Sequence, residues 1–243
     1  MPVDFAAIYA TDLAYVESCW KLCGDGHCCT FGRYKSKFRL IGTPPVQQLP
    51  LLPGEHAWLT EQGYLPTFRA HEHRVVEHTF HGRTLRAETL VGKELGCLCT
   101  NAFRTTICRL YPFLPVFDLD GQLTGCDLEF GSFELLENLQ GLPRVCRIDA
   151  IPAAQMSRLL TITRAIAADP VAMFHVGAYR LTLGHARLRL QELAGSQPEP
   201  DFFSLYEMAL IRRKLLDWPR LDAELDALAG RFEDRYGHSF ALG

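Results

Sequence analysis

The nine cysteines of this chain all fall in its first 146 residues, and four of them, Cys19, Cys23, Cys28 and Cys29, crowd into eleven residues around Gly24-Asp25-Gly26. Core packing calls for no such density, so the sulfurs themselves constrain what this part of the chain folds into. Thiols at this spacing serve as disulfides in an oxidising compartment and as metal or redox groups in a reducing one. The residues from Met1 to Ala10 lack the basic segment and apolar run of a secretory signal, and no stretch approaches the roughly 18 uninterrupted apolar residues of a membrane span. The expectation is a cytoplasmic protein with reduced, metal-binding thiols. The odd count agrees with this, because a complete disulfide framework would leave one over.

A chain of 243 residues with 48% hydrophobic and 22% charged residues buries a real core, as one large domain or two small ones. A formal charge of -3, with arginines scattered among carboxylates, gives no footprint for nucleic acid or for an acidic membrane. A small-molecule or protein substrate is left open as a partner.

Taken in order, residues 4–22 space Phe5, Ile8, Tyr9, Leu13, Val16 and Trp20 as an amphipathic helix or two turns would, setting Cys19 and Cys23 one turn apart. Gly24-Asp25-Gly26 then lets Cys28 and Cys29 swing back toward them, with His27 as a further donor or an ordinary loop residue. Residues 30–41 alternate aromatic and basic like a half-buried strand, and residues 42–53, with four prolines, read as a connecting loop. A short helix is expected from Glu55 to Gln62, ended by Gly63. From His71 onward a hairpin turns near His81-Gly82, with His71 and His73 on one face, a geometry that can bind a divalent metal or form an exposed polar face. Two more strands meet at Asp120-Gly121, and Cys146 reads as a buried free thiol in a strand.

Beyond Pro152 the texture is helical. Helices are expected over 153–168, from Asp169-Pro170, from Asp201, and from Pro219, with a linker at 195–200. The fold class expected is α+β: a cysteine-rich, strand-containing part over 1–150 with metal-fastened loops, covered by a helical part over 151–243, the two separate or continuous.

Thiolates are soft ligands that suit zinc, iron or an iron–sulfur cluster, and each such site wants four. Cys19, Cys23, Cys28 and Cys29 form the first half of a split set, and Cys97, Cys99, Cys108 and Cys126 the second. Adjacent cysteines rarely serve one ion together, so the pair Cys28-Cys29 is expected to divide between two sites, or between a metal and a supporting role beside it. An iron–sulfur cluster is placed ahead of iron or zinc, because the thiols outnumber what one structural zinc needs.

The start Cys19-x3-Cys23-Gly24 with Cys28-Cys29, a following helix containing Glu55, and Cys108-Arg109-Leu110-Tyr111-Pro112-Phe113 together resemble the YkgJ-type cysteine-cluster proteins, described as zinc- or iron-chelating. The resemblance covers roughly residues 19–113 and implies a metal-binding protein. The flagellin lysine N-methylases carry a similar cluster, bind an iron–sulfur centre and use S-adenosylmethionine, which implies an alternative: an enzyme of redox or group-transfer chemistry. For that alternative the nearest polar candidates are Glu55, His71, His73, Asp118 and Asp120, although no Gly-x-Gly-x-x-Gly loop accompanies them.

Overall fold

The computed structural model describes residues 2–15, 37–40, 46–95, 98–99, 103–142 and 153–242. Cys19, Cys23, His27, Cys28, Cys29, Cys97 and Cys146 lie outside the described residues, and the expectations resting on them lie there too.

The fold is α+β. Helix α1 (Phe5–Ala10) is followed by strand β1 (Val46–Leu51), helix α2 (Glu55–Glu61), strands β2 (His71–Phe80) and β3 (Arg83–Leu95), and helix α3 (Thr106–Leu110). Strands β4 (Leu114–Phe117) and β5 (Leu123–Asp127) come next, then helix α4 (Ser132–Leu139). Four helices complete the chain: α5 (Ala153–Ala167), α6 (Pro170–Ala194), α7 (Phe202–Ile211) and α8 (Trp218–Tyr236). Among the described residues, no single helix is long and apolar enough to cross a membrane.

The β2–β3 hairpin turns where the sequence predicts. His81 at φ 45° and Gly82 at φ 83° give the two positive φ values that a two-residue turn needs to match the strand twist. The antiparallel sheet has the order β1-β3-β2, which leaves β1 on an edge. The loop expected over 42–53 is corrected over Val46–Leu51, which is strand, while 42–45 lie outside the described residues. Pro50 removes a ladder donor, yet an edge strand tolerates that, and Pro50 pairs with Thr89 across from it.

Two further expectations change. Of the helix or two turns expected over 4–22, the described part holds a short helix that ends at Ala10, where the Thr11 hydroxyl turns back to the Ala7 carbonyl at 2.8 Å and the backbone becomes extended, while residues 16–22 lie outside the described residues. Residues 37–40 of the expected 30–41 strand form a turn and bends, because buried Glu207 draws in the amides of Arg39 and Leu40. The Asp120-Gly121 turn is present, with Asp118 Oδ1 accepting the Asp120 and Gln122 amides at 2.9 and 2.8 Å.

Helix α6 buries residues along its whole length, from Pro170 to Ala194, and so meets several groups of neighbours. Its Ala172 and Val176 join a core with Val3, Phe5 and Ile8 of the N-terminal region and Leu159, Ile162 and Ile166 of α5. Its Met173 and Phe174 pack with Leu221, Leu225 and Phe232 of α8, and its Ala186 and Leu190 with Phe203 and Tyr206 of α7. Phe174 has no exposed surface, which contributes about 2–3 kcal/mol relative to leaving it in water. Asp169 starts α6 by accepting the Val171 amide at 2.8 Å, with Pro170 in the first turn as the sequence suggests. The tip of the hairpin reaches the C-terminal helices. Phe80 is buried against them, Arg83 pairs with Asp226 and Glu233 of α8, and His78 Nε2 lies 2.7 Å from Asp222. Residues from both sides of position 150 therefore share the cores.

Candidate metal centre

Cys108 owes its position to α3, and α3 owes its start to a carboxylate from elsewhere in the chain. The first amides of a helix lack partners within it. Here the Thr106 amide donates to Glu55 Oε1 at 2.8 Å. The same oxygen accepts the Tyr9 hydroxyl at 2.6 Å, and Glu55 Oε2 accepts the Leu52 amide at 2.9 Å. Glu55 has no exposed surface and opens α2, so one side chain ties α1, the β1–α2 turn and α3 together. Burial pushes its pKa up, against the pull of the three donors. Burial also raises the pKa of Tyr9, and the nearby Glu55 charge adds to the effect.

The Cys108 sulfur accepts a hydrogen bond from the Thr105 hydroxyl at 3.5 Å, and Cys99 Sγ lies 3.9 Å from it. Cys99 is buried, and its neighbour Leu98 is held by the Arg69 amide, which donates to the Leu98 carbonyl at 3.0 Å. A disulfide would bring the sulfurs to about 2.05 Å. Two thiolates on one tetrahedral ion, with bonds of about 2.3 Å, stand about 3.8 Å apart, which fits the observed separation. Phe103 closes the region, packed against Tyr9, Tyr64 and Phe68 at ring separations of 5.2, 4.6 and 5.5 Å.

The separation also suits a hydrogen bond between the two sulfurs, and the region supplies a cation. The Arg109 guanidinium is within electrostatic reach of Cys108 and sits 4.9 Å over the Tyr9 ring. It donates from Nε to the Arg104 carbonyl at 3.0 Å and from Nη1 to the Thr11 carbonyl. Burial lowers its pKa, but a guanidinium remains charged at neutral pH. The Cys108–Phe113 stretch thus gathers a sulfur, a buried cation, and Tyr111, whose hydroxyl donates to Glu134 at 2.5 Å.

The remaining sequence candidates separate. Cys126 lies on β5 opposite Pro115 and lines a cleft of about 1060 Å³ between the β4–β5 hairpin, α6 and α8. Burial, helped by Asp127, pushes its thiol up to about 11. Two arginines of that cleft are paired, Arg180 with Asp127 at 2.7 Å and Arg187 with Glu129. Asp118 holds its turn, and Asp120 pairs with Arg235 at 2.7 Å, so both have structural partners. His71 turns Nδ1 to the Arg69 carbonyl at 2.8 Å. His73 meets two residues that sequence patterning leaves out, Glu88 and His56. Burial and the neighbouring His73 lower the His56 pKa, which favours its neutral form.

No family model, curated protein or solved structure matches the chain.

Proposed function

We propose that this is a metal-binding protein of the YkgJ type, with Cys99 and Cys108 as thiolate ligands of one metal atom. The observation that supports this most is the 3.9 Å sulfur separation inside a buried, aromatic-walled site. In a cubane cluster each cysteine takes a different iron and the sulfurs stand farther apart. The separation therefore favours a single zinc or iron, or a two-iron cluster in which two thiolates share an iron. The sequence offers Cys19, Cys23, Cys28, Cys29 and Cys97 as the remaining donors.

The metal would supply a tetrahedral cross-link between segments that apolar packing alone does not fix, so binding and folding are coupled. The chain's own residues prepare for it. Glu55 sets the start of α3, Thr105 hydrogen-bonds a sulfur, Arg109 offsets negative charge, and the aromatic side chains limit water.

The test is the metal and sulfide content of protein purified without oxygen, together with its visible absorption. Stoichiometric zinc or iron is expected, lost in Cys99→Ser and in Cys108→Ser. Visible colour with iron and sulfide identifies a cluster, and colourless zinc protein removes the redox alternative. Wild-type protein that carries no metal and takes up neither zinc nor iron overturns the proposal.

A further inference from the structure

The register of the β2–β3 hairpin brings a second set of ligand-type side chains together. His73 lies opposite Leu90 and Glu88 opposite Val75, so His73 and Glu88 are diagonal neighbours on one face of the sheet. His73 Nε2 stands 2.9 Å from Glu88 Oε2. The other Glu88 oxygen lies 3.3 Å from Arg86 Nε, which holds the carboxylate with Oε2 toward the histidine. Leu59 of α2 packs on the same face with Leu49 and Leu90, and this contact carries His56 over His73. The two imidazoles stack with centroids 3.6 Å apart and planes 7° from parallel.

One donor atom from each of His56, His73 and Glu88 falls within 4.8 Å of the others. A tetrahedral ion with bonds of about 2.0–2.2 Å needs its donors about 3.3–3.5 Å apart, so binding requires the two imidazoles to turn out of their parallel stack until their nitrogen lone pairs converge. His73 is exposed and the other two are half-buried, so an ion can arrive from solvent without opening the core. Three different elements supply the three ligands, and backbone packing fixes all of them.

We propose that His56, His73 and Glu88 form a solvent-open site for a divalent transition metal of the zinc type, separate from the thiolate pair. Nitrogen and carboxylate donors suit zinc, cobalt and nickel, whereas the buried sulfurs select softer binding. Three protein ligands leave a fourth position for water or another small oxygen donor, unlike a closed four-thiolate site. The site does not depend on the thiolate reading. It bears on the same helix, however, because His56 follows Glu55 on α2.

Cobalt(II) titration of the full-length protein, as purified, tests this. Cobalt on nitrogen and oxygen donors shows visible d–d absorption alone, whereas cobalt on thiolates adds an intense near-ultraviolet charge-transfer band. The expected result is one equivalent bound with the first signature. His56→Ala, His73→Ala and Glu88→Gln should each weaken it by more than about tenfold, since even partners outside the ligand set cost 10–100-fold in known sites. His71→Ala should leave it unchanged. Glu88→Gln keeps the side-chain shape, and the cobalt-induced rise in melting temperature should disappear in it while its metal-free melt persists. Uptake always accompanied by the charge-transfer band, or wild-type affinity in all three variants, overturns the site. Failure of the thiolate proposal shows instead in the protein as purified, as the absence of stoichiometric zinc or iron, and leaves this cobalt d–d signal and its dependence on His56, His73 and Glu88 unchanged.

Discussion

Replacing Glu55 separates geometry from charge at the join between α1, α2 and α3. In Glu55→Ala the Thr106 amide and the Tyr9 hydroxyl lose the oxygen they share, and Leu52 loses the second one. The Thr106 bond is buried and the other two are partly so. At about 2 kcal/mol for each donor left dry, the two on Oε1 cost about 4 kcal/mol, while water can reach the Leu52 amide. Removing a desolvated carboxylate returns part of that, so a net loss of about 3 kcal/mol is expected. For a chain of 243 residues this corresponds to a fall in Tm of about 6–12 °C, read by circular dichroism. Glu55→Gln behaves differently. Its carbonyl oxygen can keep both the Tyr9 and Thr106 bonds, and only the amide nitrogen facing Leu52 is mismatched, so about 1 kcal/mol is lost. Equal destabilisation by the two substitutions would refute the acceptor argument, and a loss under about 1 kcal/mol in Glu55→Ala would refute the bonds themselves.

Two further outcomes follow from groups away from the centre. Asp201 caps α7, accepting from the Phe203 and Ser204 amides and the Ser204 hydroxyl, and although burial acts to raise its pKa, those bonds together lower it. Asp201→Ala should cost about 1 kcal/mol at neutral pH, and because a depressed folded pKa stabilises only the ionised form, the gap should close as pH falls below about 4; a pH-independent gap in denaturant melts contradicts this. Cys126, with its thiol pushed up to about 11, should react with iodoacetamide at pH 8 about two hundredfold more slowly than an unperturbed thiol of pKa about 8.5; mass spectrometry of its peptide reads this, and labelling at the free-peptide rate refutes it.

Much of the fold was legible wherever local chemistry decides the structure. The Gly82 turn, the Asp118–Gly121 turn and the caps at Asp169 and Asp201 each depend on residues close in sequence. Strand β1 was hidden because Pro50 and the three prolines flanking the strand read as a loop, until an edge position made Pro50 harmless. Helix α3 is too short for periodicity to reveal, and its start depends on a glutamate 51 residues away. Helix α4 does carry helical spacing at Phe133, Leu135, Leu136 and Leu139, but its cap is Gly131, which sends no helix-start signal. At the candidate sites, Cys99 and Cys108 were readable from residue type. His56 and Glu88 were not, because only the packing of α2 on the sheet brings them to His73.

The packing of α1 has a consequence for how the protein is made. Phe5 and Ile8 are buried in a core completed by Leu159, Ile162 and Ile166 of α5. At a synthesis rate of about 5–20 residues per second, α5 follows α1 after roughly 8–30 seconds. Until then the apolar face of α1 has only the part of its cover that Trp58, Leu110 and Phe113 supply, and some of its hydrophobic surface stays exposed on the nascent chain. The packing of α1 is thus complete only once α5 has emerged, and a pause in translation before α5 would lengthen the interval in which the chain can aggregate.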